Sequence, residues 1–400
     1  MDIAQSLTTT PNTIKCIEMH TTGEPTRIIY AGFPPLTGPT LLSQRAHAEK
    51  EYDHIRKRIM LEPRGHYDMY GAILIQNTEL VRSGEAHIGV LFTHNGGIST
   101  MCGHATISLG RFLVDTRDEN VFPKRGELVL DEESLTVGVR LHAPCGVVDV
   151  TVPVMQSADG MKSDPARNVA FISTPAYAAA VGVRVSVPEE VRWGELGGRK
   201  SITVDVSYGG AFFALVDVRE LGFKEGLKKV DLERMTQVVG KLKGYLETHP
   251  DIVRACQHPE DERLSFLYSV MVVDSQVGVN PGGVDGVETG LCFFADDEID
   301  RSPTGSCVTA RMALAYAKGE RAVGQRWAYH SVVSSHFQTG AFVGEIVETG
   351  LRIEGENGPA RDAVVVRVEG SAYYTGASSF VVEEGDVTGH AGFTMKSVTQ

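Results

Sequence analysis

The chain has 400 residues, of which 42% are hydrophobic and 22% are charged, as in an ordinary globular protein. This length exceeds what one hydrophobic core usually organises, so two domains or a duplicated unit are expected. The 51 acidic and 38 basic residues give a net charge of −13. That charge excludes nucleic acid and anionic membranes as main partners, because both bind basic surfaces. No uninterrupted apolar run approaches the length of a membrane span.

The cysteines and the chain ends indicate the compartment. Six cysteines are scattered along the sequence without a CxxC pair, which argues against a disulfide framework and a zinc module. The first residues, MDIAQSLTTTPNTIK, have an acid at position 2 and neither an apolar segment nor arginines, and the last, KSVTQ, match no sorting signal. We therefore expect a cytoplasmic protein.

The predicted elements are mostly strands, and antiparallel sheets are expected to dominate. A helix is expected first, over about 41–60. Runs rich in β-branched residues and bounded by Gly, Pro or Asp predict strands. In chain order these runs are ELVLD (127–131), VGVRL (137–141), VVDVTVPV (147–154), ITVDV (202–206), FFALVDV (212–218), FLYSVMVVD (266–274) and VVVRVEG (364–370).

Two further segments complete the pattern. Apolar residues at helical spacing from Leu232 to Leu246 predict an amphipathic helix that ends before His249 and Pro250. The Gly-rich, acidic stretch 280–290 predicts an exposed loop.

An internal repeat is the strongest feature of the sequence. The pair Leu-Phe at 91–92 is followed ten residues later by MCGHATI (101–107) and a helix-compatible run. The pair Phe-Phe at 293–294 is followed ten residues later by PTGSCVT (303–309) and another such run. The offset between the two turns is a constant 202 residues. A strand, an excursion, a turn with a central Gly and a helix therefore occur twice, which predicts a duplicated α/β unit.

Each duplicated turn predicts an anion site. The first N–H groups of a helix have no partner within the helix and bind anions, so two facing turns would clamp a carboxylate. Cys102 precedes the Gly in the first turn, where a helix N-terminus lowers the pKa of a thiol and makes it a base or nucleophile. Thr304 stands in the same place in the second turn, and its hydroxyl does not ionise near neutral pH. His104 and Asp300 flank these turns; the alternatives are a structural histidine and a turn acid.

Other catalytic patterns are missing from the sequence. The stretch 194–201, GELGGRKS, has Arg199 where a phosphate loop requires its second Gly, and a predicted strand follows it. No HExxH or GxSxG motif occurs, and the histidine pairs lack the spacing of helical metal ligands. Neither a metal site nor a serine hydrolase is expected.

The two turns carry a family resemblance. MCGHATI (101–107) and DRSPTGS (300–306) resemble the signature turns of the proline racemase superfamily, which includes hydroxyproline epimerases and trans-3-hydroxy-L-proline dehydratases. Further blocks occur in the order expected for that family: HTTGEPTR (20–27), EPRGHYDMYGAIL (62–74), ITVDVSYGGAFFALVD (202–217), YYTGASSF (373–380) and GF (392–393).

The resemblance implies an α+β fold like that of diaminopimelate epimerase. Two pseudo-symmetric lobes, each a mixed sheet or partial barrel around a central helix, would hold the active site in the cleft between them. We place the N-terminal lobe at 1–177, with 386–400 returning to it, and the C-terminal lobe at 178–385. The resemblance also suggests a homodimer.

The resemblance further implies a reaction and a role for each site residue. Racemases and epimerases of the family carry Cys in both turns, whereas Thr304 resembles the dehydratases. Cys102 would remove the α-proton of trans-3-hydroxy-L-proline, and loss of the C3 hydroxyl as water would give Δ1-pyrroline-2-carboxylate.

The substrate would be held at several points. The carboxylate would bind the backbone amides of the two turns, His104 and Asp300 would contact the ring nitrogen, and Thr304 would position the leaving hydroxyl or a water. No cofactor and no metal is implied, and the partner is a small zwitterionic imino acid. The four amides belong to Gly103, His104, Gly305 and Ser306.

Two alternatives remain open at this point. Cys307 lies three residues after Thr304, where the family has small residues, and as a second thiol it would make the protein a proline racemase or a 4-hydroxyproline 2-epimerase. A protein that kept the clamp but lost turnover would be a non-catalytic binder of proline-like amino acids.

Overall fold

The computed structural model describes residues 2–10, 13–157 and 160–399. In this part of the chain the helices are α1 (Ile3–Thr9), α2 (Leu41–Glu51), α3 (Asp53–Met60), α4 (Glu79–Ser83), α5 (Gly103–Asp115), α6 (Leu232–Leu246), α7 (Pro250–Ala255), α8 (Gly305–Ala317), α9 (Val332–Phe337) and α10 (Met395–Thr399). Short 3₁₀ helices cover Pro123–Glu127, Gly194–Leu196, Gly226–Lys229 and Glu262–Leu264. None of these helices has both the length and the apolar character needed to cross a membrane.

The strands extend along the whole chain. They are β1 (Ile14–Thr21), β2 (Glu24–Ala31), β3 (Gly71–Ile75), β4 (Ile88–His94), β5 (Gly97–Ser99), β6 (Leu130–Asp131), β7 (Thr136–Ala143), β8 (Gly146–Ser157), β9 (Gly160–Ser163), β10 (Val169–Ile172), β11 (Tyr177–Ser186), β12 (Ser201–Tyr208), β13 (Phe212–Asp217), β14 (Leu267–Asp274), β15 (Gly286–Phe294), β16 (Glu298–Ile299), β17 (Arg326–His330), β18 (Phe342–Ile353), β19 (Arg361–Gly370) and β20 (Ala372–Phe380).

The chain divides into two compact units. The first is Met1–Phe171 with Ser371–Gln400, and the second is Ile172–Gly370. The sequence-based lobe boundaries, 177/178 and 385/386, fall 6 and 15 residues later along the chain. The reason for the later return point is β20, which pairs antiparallel with β1 and so brings the chain back to the first unit before residue 386.

In the first unit a mixed sheet surrounds α5. Strand β1 lies between β2 and β20, β3 runs parallel to β2, and β4 joins β3 to the β7–β8 hairpin. Helix α5 packs against β1, β8 and β9, and its residues from Gly103 to Val114 are all buried. Gly110 allows the close approach, because a Cβ there would lie 2.7 Å from the side chain of Val150. A helix enclosed on all sides has no polar face, which explains its apolar and small residues.

The second unit repeats this arrangement around α8. Strands β11, β12 and β13 are antiparallel, β14 runs parallel to β13, and β15 connects through β17 to β18 and β19. Helix α8 packs against β11, β12, β18 and β19. Gly209 is required beside its first turn, because a Cβ there would lie 2.2 Å from the carbonyl oxygen of Ser306. Ser207 Oγ donates to the carbonyl of Ala310 at 2.8 Å, which ties the sheet to the helix.

A buried ion cluster joins α8, β15 and the loop that follows α8. Glu288 Oε1 accepts from Arg311 Nε at 3.0 Å and from Arg321 Nη2 at 3.2 Å. The three side chains are less than a tenth exposed, and the Arg321 guanidinium stacks 3.9 Å from the Trp327 ring centroid. Burial alone would raise the pKa of Glu288, but the two guanidiniums outweigh burial and hold this pKa below its ordinary value.

Most of the predicted elements are confirmed. Helix α6 covers the predicted residues, Asp231 caps its N-terminus, and Pro250 begins a separate short helix instead of extending it. The strand runs from 137–141 through 364–370 coincide with β7, β8, β12, β13, β14 and β19, except that Val218 and Phe266 lie just outside β13 and β14. Antiparallel pairing predominates among the strands described. Both turns of the repeat lead into helices of 13 residues, which begin at Gly103 and Gly305.

Three element predictions are wrong in part. The helix predicted over 41–60 is interrupted at Tyr52, whose backbone at φ −124° and ψ 13° leaves the helical region. Within 127–131 only Leu130–Asp131 is a strand, because Glu127 ends a 3₁₀ helix and residues 128–129 connect the two elements. The loop predicted over 280–290 ends at Gly286, where β15 begins by pairing with Trp327.

Candidate active site

The first turn places Cys102 at the N-terminus of α5. Its backbone is extended, with φ −148° and ψ 114°, and its carbonyl accepts from the hydroxyl of Thr106 at 2.7 Å. Its Sγ accepts from the backbone N–H of Ala105 at 3.5 Å, so the sulfur caps the helix. An N–H donor and the positive end of a helix favour a thiolate over a thiol. The side chain is only 5% exposed, which limits its access to solvent.

His104 lies directly beside this sulfur. Its Nδ1 is 3.1 Å from Cys102 Sγ, within hydrogen-bonding distance. The His104 ring meets the ring of Tyr70 edge to face, with centroids 4.6 Å apart. The Tyr70 hydroxyl is 3.1 Å from Ser99 Oγ, which in turn donates to the carbonyl of Met101. The tyrosine therefore links the imidazole to the backbone that leads into Cys102.

A second contact holds the backbone of His104. Thr21 Oγ1 donates to its carbonyl at 3.0 Å and lies 3.1 Å from Ser108 Oγ. The sequence reasoning did not assign Thr21 or Tyr70 to the site. Both residues lie in sequence blocks that resemble the family, HTTGEPTR and EPRGHYDMYGAIL. That resemblance is the signal that could have identified them as site residues.

The second turn holds Asp300 and Thr304 together. Asp300 Oδ1 accepts from the backbone N–H of Ser302 at 2.7 Å, and Oδ2 accepts from the hydroxyl of Thr304 at 2.8 Å. The backbone N–H of Thr304 donates to Ser302 Oγ at 3.1 Å. Asp300 itself is fixed to the sheet, because its N–H donates to the carbonyl of Cys292. Asp300 and Thr304 are 5% and 6% exposed, so water screens their hydrogen bond poorly.

Thr304 has an unusual backbone. Its φ of 61° and ψ of 80° lie in the left-handed region, which a β-branched residue rarely adopts. Such a conformation costs about 1–3 kcal/mol and persists only where the surroundings impose it. The Thr304 side chain does not cap α8, unlike Cys102 on α5, because its hydroxyl is directed to Asp300 instead. The two turns thus match in sequence position but differ in local geometry.

The remaining predicted site residues begin the two helices. Gly103 and His104 are the first residues of α5, and Gly305 and Ser306 are the first residues of α8. At these positions the backbone N–H groups have no acceptor within their own helix, as anion binding requires. The first unit therefore brings together Cys102 with two predicted amides, and the second unit brings together the Asp300–Thr304 pair with the other two.

Cys307 is a poor second thiol. Burial raises the pKa of its thiol well above the ordinary value, and the neighbouring Cys292 raises it further. Its side chain lies fully buried in α8. A fully buried thiol with a raised pKa is poorly suited to be the second base of an epimerase.

The described His, Cys, Asp and Glu side chains do not cluster as metal ligands. Throughout residues 2–10, 13–157 and 160–399, no group of three or more His, Cys, Asp or Glu side chains is arranged to hold a metal ion. The groups that carry chemistry in the two turns are a thiol, an imidazole, a carboxylate and a hydroxyl.

Known structures share the fold. A probable proline racemase from Agrobacterium radiobacter K84, with bound carbonate, superposes with a TM-score of 0.73 at 21% identity and covers 96% of this chain and 97% of its own. A hydroxyproline epimerase from Agrobacterium vitis, with bound trans-4-hydroxy-L-proline, gives a TM-score of 0.74 at 20% identity. The superposition covers 97% of this chain and 96% of the epimerase chain. The predicted α+β fold, with a mixed sheet around a central helix in each unit, is confirmed.

Other relatives have a higher sequence identity to this chain than these two structures. The trans-L-3-hydroxyproline dehydratase of Bos taurus is 38% identical over 93% of this chain and 92% of its own, and the trans-3-hydroxy-L-proline dehydratase of Homo sapiens has the same identity and coverage. The proline racemase of Clostridioides difficile is 31% identical over 96% of this chain and 98% of its own. The proline racemase family model matches residues 16–394. With nearly its whole length matched, the chain belongs to the proline racemase family.

Proposed function

We propose that this chain is a cofactor-independent trans-3-hydroxy-L-proline dehydratase. The observation that carries the proposal is the pairing of Cys102, at a helix N-terminus, with Thr304 in the equivalent place of the second turn. A thiolate in the first turn and a hydroxyl in the second supply one base and no equivalent second base. The names of the 38% identical relatives support the same reaction.

Cys102 is the base in this proposal. Its sulfur receives the N–H of Ala105 and lies beside His104 Nδ1, and both contacts favour the thiolate that must take the α-proton. When the α-carbon loses its proton, charge moves onto the substrate carboxylate. The resemblance to the family implies that the N–H groups of Gly103 and His104, and those of Gly305 and Ser306, would bind that carboxylate and stabilise the enolate as an oxyanion hole does.

Asp300 binds the ring nitrogen. The substrate is a zwitterion whose ring ammonium needs a carboxylate partner, and Asp300 presents an anchored carboxylate in the second turn. The ammonium charge acidifies the α-carbon, so neither a metal nor pyridoxal phosphate is needed. His104 contacts the same nitrogen or, given its 3.1 Å approach to Cys102 Sγ, stabilises the thiolate.

Thr304 faces the C3 hydroxyl. With the α-carbanion formed and no thiol at this position to reprotonate it from the other face, the C3–O bond breaks and water leaves. The resulting enamine tautomerises to Δ1-pyrroline-2-carboxylate. The protein would act in the cytoplasm as a homodimer on a small imino acid.

The decisive experiment is a product assay. Purified protein is incubated with trans-3-hydroxy-L-proline, and the pyrroline is measured with o-aminobenzaldehyde. We expect product from the wild type and none from Cys102→Ser, while Cys145→Ser, a half-buried cysteine, remains active.

Other outcomes identify the alternatives. No product at high enzyme concentration would reject the dehydratase. Optical rotation change on 4-hydroxyproline, with deuterium entering the α-carbon from solvent, would identify an epimerase. Proline binding by calorimetry without turnover of any substrate would identify a non-catalytic binding protein.

A further inference from the structure

The hydrogen bond between Thr304 and Asp300 has a fixed direction. Both carboxylate oxygens of Asp300 act as acceptors, Oδ1 from the N–H of Ser302 at 2.7 Å and Oδ2 from the Thr304 hydroxyl at 2.8 Å. A hydroxyl has one proton, and that of Thr304 is directed to the carboxylate. The Thr304 oxygen can therefore accept a hydrogen bond from a substrate hydroxyl, but in this arrangement it has no proton to donate.

Dehydration needs a hydrogen bond in the opposite direction, with the Thr304 hydroxyl donating to the leaving oxygen. Hydroxide is a poor leaving group, and the departing oxygen must receive a proton as the C3–O bond breaks. Thr304 can supply that proton only if its hydroxyl turns away from Asp300, and it turns away only when Asp300 itself acquires a proton. The leaving oxygen can therefore be protonated through Thr304 only if another group first gives a proton to Asp300.

We propose that Asp300 and Thr304 form a proton relay that carries a proton from the substrate's own ring ammonium to its leaving hydroxyl; this inference rests on the proposed dehydratase function. An N–H bond of the ammonium breaks and an O–H bond forms on Asp300. That proton passes to Thr304 Oγ1 while the Thr304 proton passes to the C3 oxygen. Asp300 ends as a carboxylate and Thr304 as a hydroxyl, both as they began.

The atoms and charges balance in this scheme. The Cys102 thiolate takes the α-proton and becomes a thiol, the electron pair of the Cα–H bond forms the C2–C3 double bond, and the C3–O electrons leave with the oxygen. The zwitterion loses one proton from carbon and one from nitrogen, and gives a neutral enamine nitrogen, a carboxylate and one water. Nothing is oxidised or reduced. The ammonium becomes acidic during this step because its lone pair then conjugates with the new double bond.

The local structure is suited to the relay. Burial of both side chains, at 5% and 6% exposure, keeps bulk water from supplying the proton. The left-handed backbone of Thr304, at φ 61°, aims the hydroxyl at Asp300. In the first turn, by contrast, the side chain of Cys102 caps its own helix. Backbone strain of this kind is retained where a function depends on it.

The test changes the leaving group. Fluoride departs without a proton, so trans-3-fluoro-L-proline removes the need for the relay but keeps the need for Cys102 and Asp300. Thr304→Val preserves the side-chain shape and removes the hydroxyl. We expect Thr304→Val to lower dehydration of trans-3-hydroxy-L-proline by about 10²–10⁴-fold, the usual contribution of a general acid, and fluoride release by less than about 10-fold.

Two control variants complete the design. Thr304→Ser keeps the hydroxyl and should retain dehydration within about 10-fold of wild type, because the relay needs only the O–H group. Thr289→Val makes the same change at a buried threonine of β15 whose hydroxyl donates to the carbonyl of Val277, and should affect neither substrate. A Thr304→Val protein that still exchanges the α-hydrogen of trans-3-hydroxy-L-proline with solvent deuterium has a working Cys102.

The outcomes are separable. Equal losses on the hydroxy and fluoro substrates in Thr304→Val, or no loss on either, would overturn the relay. Loss of α-hydrogen exchange together with dehydration would also overturn it, because Thr304 would then act before the elimination step. A wild-type protein that releases no pyrroline from trans-3-hydroxy-L-proline would instead reject the proposed function itself.

Discussion

Glu288→Gln should strongly destabilise the second unit. Glu288 is the carboxylate shared by Arg311 and Arg321, and all three side chains are buried. Glutamine keeps the size of the side chain but removes its charge, so two guanidiniums remain in the interior without compensation. Breaking a buried ion pair in this way costs about 3–5 kcal/mol, because the remaining charge keeps its desolvation penalty. We expect a loss of about 3 kcal/mol in unfolding free energy at pH 7, since glutamine still accepts one hydrogen bond.

Tryptophan fluorescence provides a selective assay. Trp193 and Trp327, the two tryptophans of the chain, both lie in the second unit, and Trp327 stacks on Arg321. Urea unfolding followed at the tryptophan emission therefore reports on that unit. Asp362→Asn is the matched control. Its side chain is 88% exposed and pairs with Arg352 on the surface, so its removal should cost at most about 1 kcal/mol.

The effect of pH provides an independent check. The guanidiniums hold the pKa of Glu288 below its ordinary value of 4.5, so its contribution is complete above the unfolded pKa and is lost as the pH falls through the folded one. The difference between wild type and Glu288→Gln should be constant near neutrality and shrink in acid. A Glu288→Gln protein within about 1 kcal/mol of wild type at pH 7 would refute the reasoning, because the two guanidiniums would then be hydrated.

Three further predictions concern single groups. Iodoacetamide at pH 8 should label Cys102 well before Cys16 and Cys256, because burial raises the pKa of both latter thiols to about 12; equal labelling by peptide mass spectrometry would contradict this. Burial lowers the pKa of His258 to about 4, so between pH 7 and 5 the histidine takes up a proton in the unfolded chain but not in the folded one. Over this range the unfolding free energy of the wild type should fall by up to about 2 kcal/mol more than that of His258→Gln. An equal pH dependence of the two unfolding free energies would reject this. Thr304→Cys should epimerise 4-hydroxyproline detectably by optical rotation, and complete failure would mean that the rest of the pocket sets the reaction.

Local patterns predicted the two reactive turns. The repeat with its 202-residue offset located both helices, since each begins at the Gly after Cys102 or Thr304 and extends for the same 13 residues. A Gly turn followed by small and apolar residues is short-range information that one sequence contains. The amphipathic helix α6 was predictable for the same reason, because its apolar residues repeat at helical spacing.

Contacts between residues that are distant in the sequence could not be predicted from local patterns. The ring of Tyr70 reaches His104 only through the tertiary fold, and nothing in its local sequence signals that contact. Strand β15 begins inside a Gly-rich segment because Gly286 lies against the ring of Trp327, where a Cβ would be 2.5 Å away. The left-handed backbone of Thr304 and its side-chain hydrogen bond to Asp300 occur together, and composition and periodicity record neither.

The pairing of β20 with β1 has a consequence for biosynthesis. Strand β1 is the first strand to be made, and one of its two partners, β20, is made only after the whole of Ile172–Gly370. One edge of β1 is therefore exposed throughout translation, whereas every strand of the second unit can find its neighbours earlier. The unit that carries the reactive cysteine is thus completed last. The first unit therefore gains this partner strand of β1 only after the unit that carries Asp300 and Thr304 has been made.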